Sequence, residues 1–325
     1  MLVLCGAAVM TSCNKEDEPA QPTNTKINYR FATQAEGRQL LLANTEYYNS
    51  LTQVDIDWRM RRTGATLDEL MNFAQNCVCD FTDEDKVTIG KAVAFIERKL
   101  NEMGASLPFP QEGIVFIKTT MAEESDAGAY THKTEVYVGE RLIDLYNRDS
   151  LYFYDIIAHE FFHTLTRNSS KFRSQMYSLI GFTTTGTDYV FAPAIQNMIL
   201  TNPDVEHIDN YAEFTIDGVK RNCAWLSLYT KTWAEASAIA GDNASFFYFY
   251  QGVLVPIDEL GVYYTISEVP DFWDVIGRNT DYVFAPEESL ADNFAFAVVY
   301  GQHGRDYQTP ELITKIIDLL QHYHQ

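Results

Sequence analysis

Basic residues are scarce in this chain: 24 Lys and Arg stand against 45 Asp and Glu, a formal net charge of -21. So acidic a surface repels phosphate backbones, and no Lys/Arg cluster exists to release counterions, which excludes nucleic acid as a main partner. Cysteine is scarce as well, five in 325 residues. Cys77-Val78-Cys79 lacks the two-residue gap of a zinc knuckle or redox motif. Cys5 and Cys13 belong to the N-terminal address described next, and the remaining Cys77, Cys79 and Cys223 read as buried free thiols. Long apolar runs are missing too. After the first dozen residues no stretch of about 18 apolar residues occurs, so no later segment is expected to span a bilayer as a helix. What is present is globular composition, 46% hydrophobic and 14% aromatic. At roughly 150 residues per domain the length holds one large domain or two ordinary ones, each able to bury a core without staples.

Residues 2–10 form a short apolar stretch, and Thr11-Ser12-Cys13 places small residues directly before a cysteine, as in a signal peptide. The arrangement resembles a bacterial lipobox, which implies cleavage before Cys13 and lipidation of Cys13. No Lys or Arg precedes Cys13, so a start several residues upstream is expected. The polar, Pro-containing segment that follows describes a flexible tether. Lys15-Glu16-Asp17 resembles the surface-export signal of lipoproteins from one phylum of Gram-negative bacteria. The expected address is the outer membrane, reached through lipid only and facing outward.

Helical periodicity then dominates. Leu40, Leu41, Leu42, Tyr47, Tyr48 and Leu51 fit one apolar face, residues 67–73 another, and Val87, Ala92, Phe95, Ile96 and Leu100 recur at helical spacing until Gly104. Residues 113–119 and 134–138 read as strands, 140–147 and 151–166 as helices, 225–240 and 310–323 as further helices. The organisation is thus a signal peptide over 1–12, a tether over 13–28, an all-helical lead-in over 29–105 and an α+β catalytic domain over 106–325. The string TDYVFAP occurs twice, at 187–193 and 280–286. It is too widely spaced for a solenoid repeat and reads as a shared strand-turn-helix element, duplicated locally or coincidental.

One motif carries chemistry. His159-Glu160-Phe161-Phe162-His163 lies in the apolar helical run YFYDIIAHEFFHTL. Histidines four apart share a helix face, so both imidazoles reach one metal ion, while Glu160 beside them takes a proton from metal-bound water. Catalytic zinc wants three protein ligands and an open position. Two Glu-x-x-x-Asp spacings follow, as in zincins whose third ligand is a glutamate. Glu213 and Asp217 sit in a β-rich stretch ending in an Asp-Gly turn, where residues four apart do not share a face. Glu288 and Asp292 lie in PEESLADNFAFAVVYG, with Pro286 at a first helical position, an acidic first turn and Gly301 as a stop. There both carboxylates face one way, Glu288 to the metal and Asp292 to the outer nitrogen of His159.

HEFFH followed by PEESLADNFAF, on an acidic lipoprotein with a Lys-Glu-Asp run behind its cysteine, resembles the substrate import-associated zinc metallohydrolase lipoproteins. The resemblance covers about residues 110 to 305. It implies a zincin-like fold of the gluzincin class, with a small β-sheet and the HExxH helix, and one zinc ion per chain on His159, His163 and Glu288. It further implies metallopeptidase activity on a peptide or glycopeptide, beside an outer-membrane uptake porin and its surface lipoprotein. Tyr282 and His303 flank the ligand helix and are candidate hydrogen-bond donors to the oxyanion. The strand at 134–138 is the candidate edge for an extended substrate, by analogy to zincins. The rival reading is a non-catalytic lipoprotein that binds oligosaccharide or peptide for uptake.

Overall fold

The computed structural model describes residues 25–323. The signal peptide, Cys13, Lys15-Glu16-Asp17 and most of the tether lie outside them. In chain order the first half runs β1 (Tyr29–Phe31), α1 (Gln34–Leu42), α2 (Thr45–Ser50), α3 (Gln53–Met60), α4 (Leu67–Cys77), β2 (Val78–Cys79) and α5 (Asp83–Met103). It continues through β3 (Ile114–Thr119), β4 (Ala129–His132), β5 (Glu135–Gly139), α6 (Glu140–Leu145), α7 (Ser150–Asn168) and α8 (Ser170–Ser178). The second half holds β6 (Thr183–Thr184), α9 (Pro193–Gln196), β7 (Asn210–Ile216), β8 (Val219–Tyr229), α10 (Trp233–Ala240), β9 (Tyr250–Pro256), β10 (Tyr264–Thr265), α11 (Phe272–Ile276), α12 (Pro286–Val299) and α13 (Pro310–His322). The architecture is mixed α+β with small sheets.

Local sequence sets most helix starts. Thr52 with Asp55, Thr66 with Glu69, and Thr82 with Asp85 each form a reciprocal capping box that satisfies orphan N–H groups in the first turn. Gly104, at φ 75°, ends α5 in the left-handed conformation that a side chain disfavours.

The first sheet has the order β1-β3-β5-β4, with β1, β3 and β5 parallel, β4 antiparallel at the edge, and β2 added to β3. One face packs Phe116, Val136 and Val138 against α5 and α7 through Ile96, Phe153, Ile157 and Phe161. The other packs Val115, Ile117 and Tyr137 against Leu41 of α1 and Ala74 of α4. Because β4 and not β5 is the edge, the expectation of a substrate edge at 134–138 is corrected: that strand is paired on both sides. The lead-in also differs from an all-helical segment, since β1 and β2 join this sheet and α5 joins the core of α7 and α12. Strands of three and two residues are too short to show a period.

The second sheet is antiparallel, β10-β9-β8-β7-β6. Asp217 and Gly218 both take positive φ, 49° and 79°, in the two-residue β7–β8 turn, as hairpin twist requires. Residues 225–229, expected in a helix, are strand. Ala224, Trp225, Leu226, Ser227, Leu228 and Tyr229 are all buried, and a strand covered on both faces loses its alternation. The two TDYVFAP copies share no strand, correcting that part of the expected element: both are irregular segments that deliver Pro193 and Pro286 to the first turns of α9 and α12, burying Phe191 in the first and Phe284 in the second.

Candidate metal centre

Helix α7 starts at Asp149, whose side chain accepts the Tyr152 N–H at 3.0 Å. Ile157, Ala158, Phe161, Phe162 and Leu165 sink into the core, which leaves His159 and His163 one turn apart along one side, with ring centroids 4.9 Å apart and planes at 75°. Helix α12 packs against α7, with Phe162 and Phe294 in contact at 5.6 Å between centroids. Its first turn carries Glu287 and Glu288, where the helix dipole favours negative charge.

That crossing brings the expected ligands together. Glu288 Oε2 lies 2.9 Å from His159 Nε2 and 3.7 Å from His163 Nε2. Behind the rings, His159 Nδ1 donates to Asp292 Oδ1 at 2.8 Å and His163 Nδ1 donates to Glu287 Oε1 at 3.1 Å. A carboxylate only accepts, so each Nδ1 carries a proton; on binding a metal each ring would give up its Nε2 proton and offer that nitrogen's lone pair. Both Nε2 atoms and a carboxylate oxygen therefore converge on one place. His163 Nε2 is buried and without a hydrogen-bond partner among the described residues. Tetrahedral bonds of about 2.0–2.1 Å would put ligand atoms roughly 3.4 Å apart, which the 2.9 and 3.7 Å separations bracket.

Two further carboxylates close on the same point. Glu160 Oε2 accepts from the Thr131 hydroxyl at 2.7 Å, and Asp204 Oδ1 accepts the Thr131 N–H at 2.7 Å while standing 3.9 Å from His163 Nε2. Among the described residues, two overlapping donor groups have all their ligand atoms within 4.8 Å of one another: His159, His163 and Glu288, and Glu160, His163 and Asp204. The Asn202 side-chain amide donates to Glu288 Oε1, and Glu287 is anchored by Thr166 Oγ1 at 2.5 Å and Tyr177 OH at 2.7 Å. The Asp292 oxygen not used by His159 accepts from Thr280 Oγ1. Asp204, Asn202 and Thr131 had no signal in the sequence, because each reaches the site from a loop or edge strand without a motif. Glu287 had one, its place beside Glu288 in the acidic first turn.

The electrostatics express a demand for positive charge. Burial works against protonating His163, but Asp204, Glu287 and Glu288 outweigh it and push its pKa up to about 10. Burial likewise opposes a charged His159, and Asp292 and Glu288 hold it well above the usual range. Burial lifts Asp204, with Glu160 repelling it, and burial also lifts Glu160. Burial would raise Glu288 too, yet the two histidines keep it below the ordinary carboxylate range. Five carboxylates around two imidazoles ask for a cation, which protons or a metal ion can supply.

No protein-family model, curated protein or solved structure matches the chain. The site's geometry therefore carries the functional argument.

A cleft of about 460 Å³ opens onto the cluster, walled by His159, Glu160, Glu288, Tyr282, Tyr300 and Arg305. Tyr282 has its ring centroid 6.4 Å from that of His159, and burial keeps its hydroxyl protonated. His303 does not wall the cleft: it is exposed on the turn after α12, and Arg305, two residues on, takes that position. Glu213 is exposed on β7, opposite Asn222 and 3.7 Å from Lys220, away from the histidines. Thr131 turns its N–H from β5 towards Asp204, and strand alternation gives Ala129 the same outward orientation, so its N–H and C=O face the cleft. Cys77 and Cys223 are buried free thiols and Cys79 is a half-buried one.

Proposed function

We propose that this protein is a zinc-dependent hydrolase of zincin-like fold, acting on peptide bonds. The observation that carries the reading is the convergence of His159 Nε2, His163 Nε2 and Glu288 on one point, with both Nδ1 atoms pinned by Asp292 and Glu287 and with Glu160 at the margin. Two imidazoles and one carboxylate suit zinc better than calcium or magnesium, which prefer oxygen ligands.

When bound, the zinc ion supplies Lewis acidity, polarising a carbonyl and lowering the pKa of water to near 7. The chain supplies the rest. Thr131 holds one oxygen of Glu160 and leaves the other to accept a proton from the attacking water and return it to the leaving amine. Tyr282 lines the cleft, and its hydroxyl, kept protonated by burial, is the candidate donor to the developing oxyanion. The outward N–H and C=O of Ala129 offer an extended peptide a pairing partner on the free side of β4. The lipobox-like sequence at Cys13 and the acidic run behind it support anchoring at the outer surface, next to an uptake porin and its lipoprotein.

The test is metal content with turnover. Purified protein should carry about one zinc per chain, removable by chelator, and should cleave a peptide library only when loaded. Protein that binds no zinc overturns the reading; zinc-loaded protein that cuts no peptide overturns the peptidase part and leaves the rival binding role.

A further inference from the structure

Helix α3 contributes no candidate ligand, yet two of its buried charges hold the loop that meets the metal centre. Residues 201–204 carry Asn202, which donates to Glu288 Oε1, and Asp204, which faces His163. Asn202 also ties the loop internally, its Oδ1 accepting the Asp204 N–H at 2.8 Å. Thr201, at the head of this loop, is gripped at every polar atom. Its N–H donates to Asp55 Oδ1 at 3.0 Å, its hydroxyl to Asp55 Oδ2 at 2.8 Å, and its carbonyl accepts from Arg59 Nη2 at 2.7 Å.

The grip is itself braced. Asp55 and Arg59 are one helical turn apart and almost wholly buried, 0% and 3% exposed. Asp55 accepts further from the Thr52 N–H at 2.9 Å and from the Tyr229 hydroxyl at 3.0 Å. Arg59 Nε and Nη2 engage Glu124 at 2.9 and 2.8 Å, and Nη2 reaches the Tyr47 hydroxyl at 2.8 Å. A buried charge with fixed partners resists moving, because any displaced member leaves another charge unpaired in low dielectric. The backbone of Thr201 is consequently held in one place relative to α3, and Asn202 follows it by a single peptide unit.

We propose that Asp55 and Arg59 are positioning residues for the metal centre, acting through Thr201 to set the Asn202 amide on Glu288 Oε1 and so present Oε2 to the metal. The inference rests on Glu288 as a ligand. It makes the 29–105 segment a working part of the site, since a glutamate free to rotate offers its metal either oxygen or both, while one held at Oε1 offers a fixed single atom. Hydrogen-bonded partners of this kind are worth about ten- to a hundred-fold in metal affinity.

The experiment measures zinc affinity of the full chain by equilibrium competition with a chelator, and records the visible spectrum of the cobalt-substituted protein. Asn202→Ala and Asp55→Asn should each weaken zinc binding about ten- to a hundred-fold and shift the cobalt bands. In the Asn202→Ala background Asp55→Asn should add little, because its route to the metal is already cut. Thr201→Val leaves the buried ion pairs intact and removes one bond to the loop, so it keeps the test available if Asp55→Asn does not fold. Gln53→Ala on the same helix, which loses the bonds of an exposed side chain to Asp57 and to the Ala65 carbonyl, should lower melting temperature without moving affinity or spectrum. Folded Asp55→Asn and Thr201→Val proteins with wild-type affinity and spectrum overturn the inference, as do Asp55→Asn and Asn202→Ala effects that simply add. Wild-type protein that binds no zinc instead overturns the metal reading beneath it.

Discussion

His159 and Asp292, 133 positions apart, meet at 2.8 Å through Nδ1 and Oδ1. The bond fixes which ring nitrogen carries the proton, and with it the direction in which the lone pair points. Replacing Asp292 with Asn keeps an acceptor in place but removes the charge that raises the basicity of the ring. Zinc affinity or activity should fall about ten- to a hundred-fold with the fold intact. Chelator competition on Asp292→Asn measures it, and wild-type affinity with a wild-type rate would show that the contact does no such work.

Glu288 and Glu213 head the two Glu-x-x-x-Asp spacings in the sequence, and they have opposite surroundings. Glu288 is 1% exposed between two imidazoles; Glu213 lies open on β7 beside Lys220. Glu288→Ala should empty the site at micromolar zinc, whereas Glu213→Ala should leave occupancy unchanged. Metal analysis after dialysis decides between them. Equal losses, or loss in Glu213→Ala alone, would overturn the ligand assignment.

The contrast between those two pairs explains what sequence reading can reach. HEFFH and PEESLADN are local patterns on helices, where a spacing of four converts directly into a shared face, and the hairpin at Asp217-Gly218 disqualifies the other pair by the same reasoning. Asn202, Asp204 and Thr131 arrive from a loop and an edge strand, where spacing carries no direction. Arg305, rather than His303, faces the cleft because the turn after α12 sets which side chain points inward, and a Gly-rich turn has no period to read. The strand at Trp225 was hidden for a related reason. Both of its faces are buried, so the alternation that marks a half-exposed strand is absent.

Glu135 gives the protein a measurable pH signature away from the metal cluster. It opens β5 opposite His132, and its Oε2 is buried without a partner among the described residues. Burial pushes its pKa up to about 7, against the modest pull of Lys133 and Arg167. The folded protein thus holds a proton that the unfolded chain releases near 4.5, and the contribution of Glu135 to stability falls as pH rises from there to about 7. Glu135→Gln should match the wild-type melting temperature near pH 4, then exceed it by a margin that grows up to pH 7 and stays constant above. Differential scanning calorimetry across that range checks it, and a margin that does not change with pH would be the contrary result.

Glu160 separates chemistry from binding. Its Oε2 is held by the Thr131 hydroxyl, it is 2% exposed, and it shares its surroundings with Asp204 and Glu288. In the proposed scheme it is a proton acceptor and not a ligand, so Glu160→Gln should retain about one zinc per chain. The amide keeps an oxygen for Thr131 to donate to, which preserves the contact with β4. It also removes one of three crowded carboxylates, so the metal-free variant should melt no lower than the wild type. An amide nitrogen cannot take the proton that turns water into a nucleophile at neutral pH, and general-base catalysis is worth about 10²- to 10⁴-fold. Turnover of any peptide that the wild type cuts should drop by that factor, with zinc content unchanged. Equal rates in the two proteins would remove Glu160 from the mechanism; loss of zinc along with turnover would instead place Glu160 among the ligands, in the group it forms with His163 and Asp204.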